Sequence, residues 1–434
     1  MSAELLPADR TVGPDQDVLV EVEDLATHFP VRTGLFGRGG EVVRAVDSVT
    51  FDIRRGEVFG LVGESGSGKT TLGRSLLKLV QPTSGHVRFE GRDLVPLSAS
   101  QMRPLRRELA LIFQDPNASL NPAMTIVQGV GHPLRIHGLA SSRAEARTMT
   151  EAMLDRVGLS PAANFLDKYP EDVSGGQKQR LVIARALITN PKFVVADEPV
   201  AALDMSVRAL VLELLLDLQR DLSLTYLFIT HDLATARFIC DRIGILYLGD
   251  FVEWGPSNLL FDDPKHPYTS ALLDAIPLPD PARKYREKML PQGEVPDALH
   301  PPRGCRFHPR CPAAFAPCGW EGADLLDFFE RRWTEVDLDV FEAELGATGP
   351  LSAATISDDG HEVRFVGGDA GRLEPLLTEL RTDEHLLVFS GVESIERDGG
   401  TVLVRFRDGV EPGLQPVEGR QVACHLHGVV ERRR

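Results

Sequence analysis

The sequence predicts an α/β fold around a parallel sheet, and three observations carry that prediction. Short apolar runs, Val58-Phe-Gly-Leu-Val, Phe193-Val-Val-Ala and Thr225-Tyr-Leu-Phe-Ile-Thr, punctuate the first part of the chain, and the last two each follow a helical pattern, as buried parallel strands do. A glycine-rich turn, Gly63-Glu-Ser-Gly-Ser-Gly-Lys-Thr, closes the first run and opens a helical segment. Two carboxylates, Asp197 and Glu198, end the second.

Taken in order, residues 1–17 are polar, carry Pro7 and Pro14 and show no period, so they read as a flexible leader. Val18-Leu-Val-Glu-Val-Glu and Ala45–Ile53 alternate like half-buried strands, with a loop at Gly34–Gly40 between them. A helix is expected over Thr70–Lys78, with Leu72, Leu76 and Leu79 on one face. Residues 98–175 show helical patterns, notably Arg143–Val157, and lack strand signals up to Pro170, so they are expected to form a helical subdomain. Ile243–Tyr247 and Phe251–Trp254, joined by Leu248-Gly-Asp, predict an edge hairpin. The expected division is an α/β domain at 18–263, a Pro- and Cys-rich region at 264–319, an acidic α+β insertion at 320–419, and a return segment at 420–434. In the insertion, one helix rich in Leu325, Phe328, Phe329, Trp333, Val336 and Val340 is expected before a hairpin at Asp358-Asp-Gly. A helix near Arg372–Leu380 and a hairpin at Asp398-Gly-Gly should follow.

A chain of 434 residues suggests several domains. No run of 18 uncharged apolar residues occurs, and the first 20 residues lack the pattern of a secretory signal, so the chain is expected in the cytosol. The net charge of −16 is concentrated: Trp320–Gly419 holds 8 Arg, no Lys and 23 Asp or Glu, a balance of −15. That acidity argues against nucleic acid as a ligand and reads as solvated surface or a site for a basic partner. Of five cysteines four lie after position 300, too few for a secreted disulfide scaffold and better suited to metal or cluster ligation in a reducing compartment.

The glycine-rich turn has the spacing and the strand–turn–helix setting of a phosphate loop. Gly63, Glu64, Ser65, Gly66, Ser67 and Gly68 would turn backbone N–H groups onto phosphates. Lys69 would reach the β and γ phosphates, and Thr70, followed by Thr71, would offer Mg²⁺ a hydroxyl. Beside such a loop Asp197 would bind Mg²⁺, directly or through water, and Glu198 would polarise the attacking water.

Four further motifs, five in one order with the phosphate loop, then carry a family resemblance. Val173-Ser-Gly-Gly-Gln resembles the signature of ABC transporter ATPases, Gln114 in Ile112-Phe-Gln-Asp-Pro their Q-loop, Ala201-Ala-Leu-Asp their D-loop, and Thr230-His-Asp their switch histidine. The resemblance implies a P-loop ATPase of the ABC type with a helical subdomain. It implies that Ser174, Gly175, Gly176 and Gln177 act in trans on ATP held by a facing subunit, that Gln114 contacts Mg²⁺, that His231 contacts the γ-phosphate, and that Asp204 belongs to the D-loop. Valine opens the signature where leucine is usual, and Ala201 stands where the D-loop usually has serine; neither change removes a phosphate ligand. Phe29 and Phe36 are both candidates to stack on adenine.

Phe113-Gln-Asp-Pro-Asn-Ala-Ser-Leu-Asn-Pro, His266-Pro-Tyr-Thr and Gly304-Cys-Arg-Phe-His-Pro-Arg-Cys-Pro are similar to the ATPase subunits of oligopeptide, dipeptide and nickel importers. The stretch Thr71-Leu-Gly-Arg-Ser-Leu-Leu and the loop at Gly34–Gly40 look like the second ATPase of such pairs. This implies a peripheral subunit at the cytoplasmic face of the membrane, a second ABC ATPase, two integral permeases and an extracytoplasmic substrate-binding protein. Peptide or nickel remains open as cargo, and a soluble ABC protein outside transport is the rival class. The resemblance also implies a [4Fe–4S] site at Cys305, Cys311, Cys318 and Cys424; zinc, with His308 or His425 as a substitute ligand, and free thiols are the alternatives. Were Cys424 to join the other three, the acidic insertion would leave and return at nearly one point. Its role, spacer or regulatory module, stays open. Cys240 reads as a buried small hydrophobe.

Overall fold

The computed structural model describes residues 17–31, 41–275, 291, 293–429 and 431–432; Phe36, the Gly34–Gly40 loop and nearly all of the expected leader fall outside them. The chain forms two compact units, Met1–Asp263 and Pro264–Arg434.

In the first unit, β1 (Val18–Pro30), β2 (Val42–Arg54), β3 (Val58–Val62), α1 (Lys69–Leu76), β4 (Ser84–Phe89), β5 (Arg92–Asp93), α2 (Ala99–Leu105), β6 (Leu109–Ile112), α3 (Pro116–Ser119), α4 (Ile126–Ile136), α5 (Arg143–Arg156), α6 (Gly175–Leu187), β7 (Phe193–Asp197), α7 (Met205–Leu222), β8 (Thr225–Thr230), α8 (Leu233–Ile239), β9 (Arg242–Tyr247), β10 (Asp250–Pro256) and α9 (Ser257–Asp262) follow one another. An antiparallel sheet runs β2-β1-β4-β5. The second sheet orders β9-β3-β8-β7-β6 with all neighbours parallel, and β10 adds antiparallel beside β9. Every residue of β3, β7, β8 and β9 is buried, which explains why these strands read as unbroken apolar runs rather than alternating ones. The strand β6 lies inside the stretch expected to lack strands. Leu79, expected on the buried face of α1, is 51% exposed because the helix ends at Leu76. Cys240 is buried, and burial pushes its thiol well above the ordinary range, as expected of a small hydrophobe.

An ion network ties the two sheets of this unit together. Arg242 on β9 bonds to Glu57 (Nη2–Oε2 2.9 Å) and to Asp52 on β2 (Nη2–Oδ2 2.9 Å), and Glu57 is fully buried. Leaving either partner unpaired there would cost several kcal/mol, roughly 3–5.

The second unit contains α10 (Pro267–Asp274), α11 (Gly322–Glu335), α12 (Leu338–Thr348), β11 (Thr355–Ile356), β12 (Glu362–Phe365), α13 (Ala370–Leu380), β13 (Val392–Asp398), β14 (Thr401–Phe406), β15 (Gln415–Val417) and β16 (Arg420–Val422). Sheet order β11-β12-β14-β13 is antiparallel throughout, and both expected hairpins form. The single helix expected through Val340 is two. Val336 leaves the helical region at ψ 159°, and α12 folds back so that Glu344 accepts from Arg332 (Nε–Oε1 2.9 Å) and from Trp333 (Nε1–Oε2 2.9 Å).

The acidic segment leaves and returns at one place. Val410 N donates to Pro317 O (3.0 Å), and a Cβ on Gly409 would sit 2.3 Å from Gly319 Cα. Gly319 itself has φ 98°, so the crossing of two backbones and the left-handed turn both call for glycine. Chain ends this close are the geometry of a tolerated insertion.

Candidate functional site

The site is built at the carboxyl ends of β3, β6, β7 and β8, where parallel sheets bind ligands. From β3 the chain turns through Gly63–Gly68 into α1. Gly68 has φ 100°, and a Cβ there would lie 2.0 Å from Ala45 O; at Gly63 it would lie 2.2 Å from Leu246 O. Side chains are shut out of both positions, so the loop keeps a bare backbone. Lys69, 6% exposed, points its ammonium into that loop, donating to Gly63 O (2.8 Å) and Glu64 O (2.7 Å). Burial lowers its pKa, and the charges of Glu198, Asp197 and Glu64 oppose the shift.

Asp197 ends β7 and is buried. Thr70 Oγ1 donates to its Oδ1 (2.9 Å), and Arg74 of α1 stands 3.9 Å from its Oδ2. Burial pushes the carboxyl up, against the Thr70 hydrogen bond and the Arg74 charge. A hydroxyl and a carboxylate facing each other beside a phosphate loop suit Mg²⁺, a cation that takes oxygen ligands. Glu198 follows with φ 46°, a conformation uncommon for a residue with a side chain, held by the hydrogen bond its backbone N–H donates to Ile229 O (3.0 Å). Its two oxygens are each engaged: Gln114 Nε2 donates to Oε2 (3.1 Å), and His231 Nδ1 lies 3.2 Å from Oε1. The expected Gln114, Asp197, Glu198 and His231 therefore converge with Lys69 and Thr70.

Ser174–Gln177 stand apart from this cluster. Ser174 caps α6, its amide donating to Gln177 Oε1 (2.9 Å) and its hydroxyl accepting from Gln177 N (3.4 Å), which leaves the amides of a 13-residue helix facing outward from Gly175. Among the described residues no hydrogen bond joins Ser174 or Gln177 to the phosphate loop. At Gly176 a Cβ would meet Val207 of α7 at 2.8 Å. Asp204 caps α7 through Val207 N (3.0 Å), and that bond holds its carboxyl below the usual range.

Two residues were not singled out from the sequence: Arg74, and Arg208, which reaches both Leu203 O (Nη2, 3.3 Å) in the D-loop segment and Asp232 Oδ2 (Nη1, 3.4 Å) beside His231. Their only sequence signal was spacing, since Arg208 follows Asp204 by four residues, a pattern that also describes any surface pair on a helix. Phe29 is 41% exposed on β1.

The four expected cysteines lie in the second unit, Cys305, Cys318 and Cys424 buried and Cys311 half-buried. Burial raises Cys305, with the charges of Cys318, Cys311 and Cys424 adding to the shift, and burial pushes Cys311 up to about 12. Among the described residues, however, no group of three or more His, Cys, Asp or Glu side chains is arranged to hold a metal ion. Burial disfavours the thiolate form of Cys305, Cys311 and Cys318, and a thiol ligates a metal only once deprotonated. His308 is also committed elsewhere, Nδ1 to Cys305 O (2.9 Å) and Nε2 to Asp324 Oδ2 (3.0 Å). His425 Nε2 is bonded to Val410 O (2.7 Å).

Residues 46–201 match the ABC transporter family, and residues 252–318 match the oligopeptide/dipeptide transporter C-terminal region. The chain is 49% identical over 321 residues to the putative oligopeptide transport ATP-binding protein YkfD of Bacillus subtilis, covering 74% of this chain and 95% of that one. It is 45% identical to the oligopeptide transport ATP-binding protein AppF of the same organism, over 70% of this chain and 92% of that one. It is 46% identical to a probable peptide ABC transporter ATP-binding protein of Sinorhizobium fredii, over 73% and 88%. With the phosphate loop, the Asp197–Glu198 pair and the capped signature helix already in place, the chain belongs to the ATP-binding subunits of the oligopeptide/dipeptide ABC transporter family.

Proposed function

We propose that this ATPase energises the uptake of oligopeptides or dipeptides, as a peripheral subunit at the cytoplasmic face of the membrane. The observation that carries the reading is Glu198, held between Gln114 and His231 one residue beyond the Thr70–Asp197 pair. A carboxylate fixed on two sides beside a phosphate loop can orient a water for in-line attack on a loop-bound ATP. Mg²⁺, arriving with ATP, would be held by Thr70 and Gln114 and by Asp197, directly or through water, and would neutralise phosphate charge. Lys69 exchanges its carbonyl partners for phosphate oxygens, and His231 contacts the γ-phosphate.

One motif set per chain supports a heterodimer with a second ABC ATPase, each offering Ser174–Gln177 or its counterpart to the other's nucleotide. Two permeases and an extracytoplasmic binding protein complete the assembly, and the cargo named for the relatives favours peptides. Deletion of the gene is expected to abolish uptake of a labelled dipeptide by cells, with rescue by the wild-type chain and none by Lys69→Ala. Undiminished dipeptide uptake, or loss of nickel uptake in its place, would overturn this cargo.

The [4Fe–4S] assignment to Cys305, Cys311, Cys318 and Cys424 rests on the resemblance. Anaerobic purification with iron analysis tests it: about four irons per chain with visible absorption is expected, and colourless, iron-free protein sinks it.

A further inference from the structure

A cavity of about 420 Å³, within the range of small-ligand pockets, lies entirely among residues of the second unit. One wall is a single stripe of α11, since Phe328, Arg331, Arg332 and Glu335 stand at i, i+3, i+4 and i+7. Another is the 384–388 segment after α13, and Trp320 joins them. The apolar part is fixed: Trp320 and Val388 are each 5% exposed, and Phe328 packs edge-on against Phe389 at 5.5 Å.

The charges are what set this cavity apart. Arg332 is bound to Glu344 (2.9 Å). Arg331 donates only to a backbone carbonyl, Asp327 O (3.3 Å), and among the described residues neither it nor Glu335 nor Glu384 makes an ion pair. Arg310, which has a partner of its own, lines the cavity too, so Arg331, Glu335 and Glu384, all three exposed, are the lining Arg and Glu side chains left without an ion pair among the described residues.

We propose that this cavity binds short peptides with free termini, two or three residues long. Such a molecule is a zwitterion with an apolar body. Its carboxylate pairs with Arg331, its ammonium with Glu335 or Glu384, and its side chains lie on Trp320 and Phe328. A dipeptide spans about 7 Å when extended. The inference goes beyond the transport reading and rests on the cavity alone.

The test is calorimetric titration of the purified full-length chain with leucyl-phenylalanine, its N-acetyl and C-amide forms, and free phenylalanine. Saturable one-site binding of the free dipeptide is expected, weakened about tenfold or more by either blocking group, which is 1.4 kcal/mol each. Arg331→Gln should erase the penalty for amidation, and the double variant Glu335→Gln/Glu384→Gln the penalty for acetylation, with unchanged circular dichroism. No saturable binding, equal affinity for blocked and free forms, indifference to these substitutions, or tighter binding of phenylalanine than of the dipeptide would each overturn the proposal. Because the titration involves no transport, a chain that fails it yet supports dipeptide uptake loses this inference alone, and the converse holds.

Discussion

Glu198 is placed by what surrounds it rather than by its own position in the chain. Its left-handed backbone turns the carboxylate back toward Gln114 and His231, two residues from other strand ends. Each of these residues was legible in the sequence because its motif has a fixed local spacing. Arg208 was not, because its meaning depends on two loops that meet only in the fold. By joining Leu203 O to Asp232, it couples the 201–204 segment to the turn that carries His231. Arg208→Ala is expected to lower ATP turnover of the assembled complex about tenfold while leaving nucleotide affinity near wild type, with lysine restoring only part because it lacks the forked donor geometry. Affinity and turnover falling together would assign Arg208 a merely structural role. Gly63→Ala belongs to the same scale: a methyl group 2.2 Å from Leu246 O must displace the loop backbone, so nucleotide affinity should drop by about tenfold or more, measured by titration with a fluorescent ATP analogue.

At the level of elements, the buried parallel strands were readable because burial on both faces leaves an uninterrupted apolar run. β6 escaped notice because Leu109–Ile112 is only four residues, too short for a period to show, and it is recognised as a strand only through its pairing with β7. The break between α11 and α12 was hidden for the opposite reason: apolar residues continue at helical spacing across Val336–Val340, yet Leu338 is 67% and Val340 39% exposed. What decides the turn is long-range, the Trp333–Phe341 contact (5.5 Å, edge-on) and the buried Glu344. Helix α10 carries a titratable cap. His266 Nδ1 accepts from Tyr268 N (3.0 Å), and burial depresses its pKa from 6.5 to about 3. Between those values the unfolded chain binds a proton that the folded chain refuses, so stability falls as pH falls, by about 1.4 kcal/mol for each unit below 6.5. His266→Asn keeps an acceptor at the cap without titrating near neutrality. Thermal unfolding from pH 7 to pH 5 should show a flatter dependence for the variant, and parallel curves would exclude His266 as the group responsible.

For the whole molecule, both family matches end by residue 318, just before the acidic segment, and the structure returns the chain to Gly319 at Gly409. The sequence indicated that the segment's ends must be close only on the condition that Cys424 joins the other cysteines; the structure brings the ends together through backbone contacts instead. Excision of residues 320–408 is expected to give a folded chain with unchanged ATP affinity, and a variant that loses nucleotide binding would show the segment to be part of the ATPase. No described helix is long and apolar enough to cross a membrane. The most direct measurement of the central claim is ATP turnover of the assembled complex carrying Glu198→Gln, taken with nucleotide affinity on the same preparation. Affinity within about threefold of wild type and turnover reduced about 100-fold or more are the expected results; turnover left unchanged would contradict the assignment of Glu198 as the carboxylate that orients the attacking water.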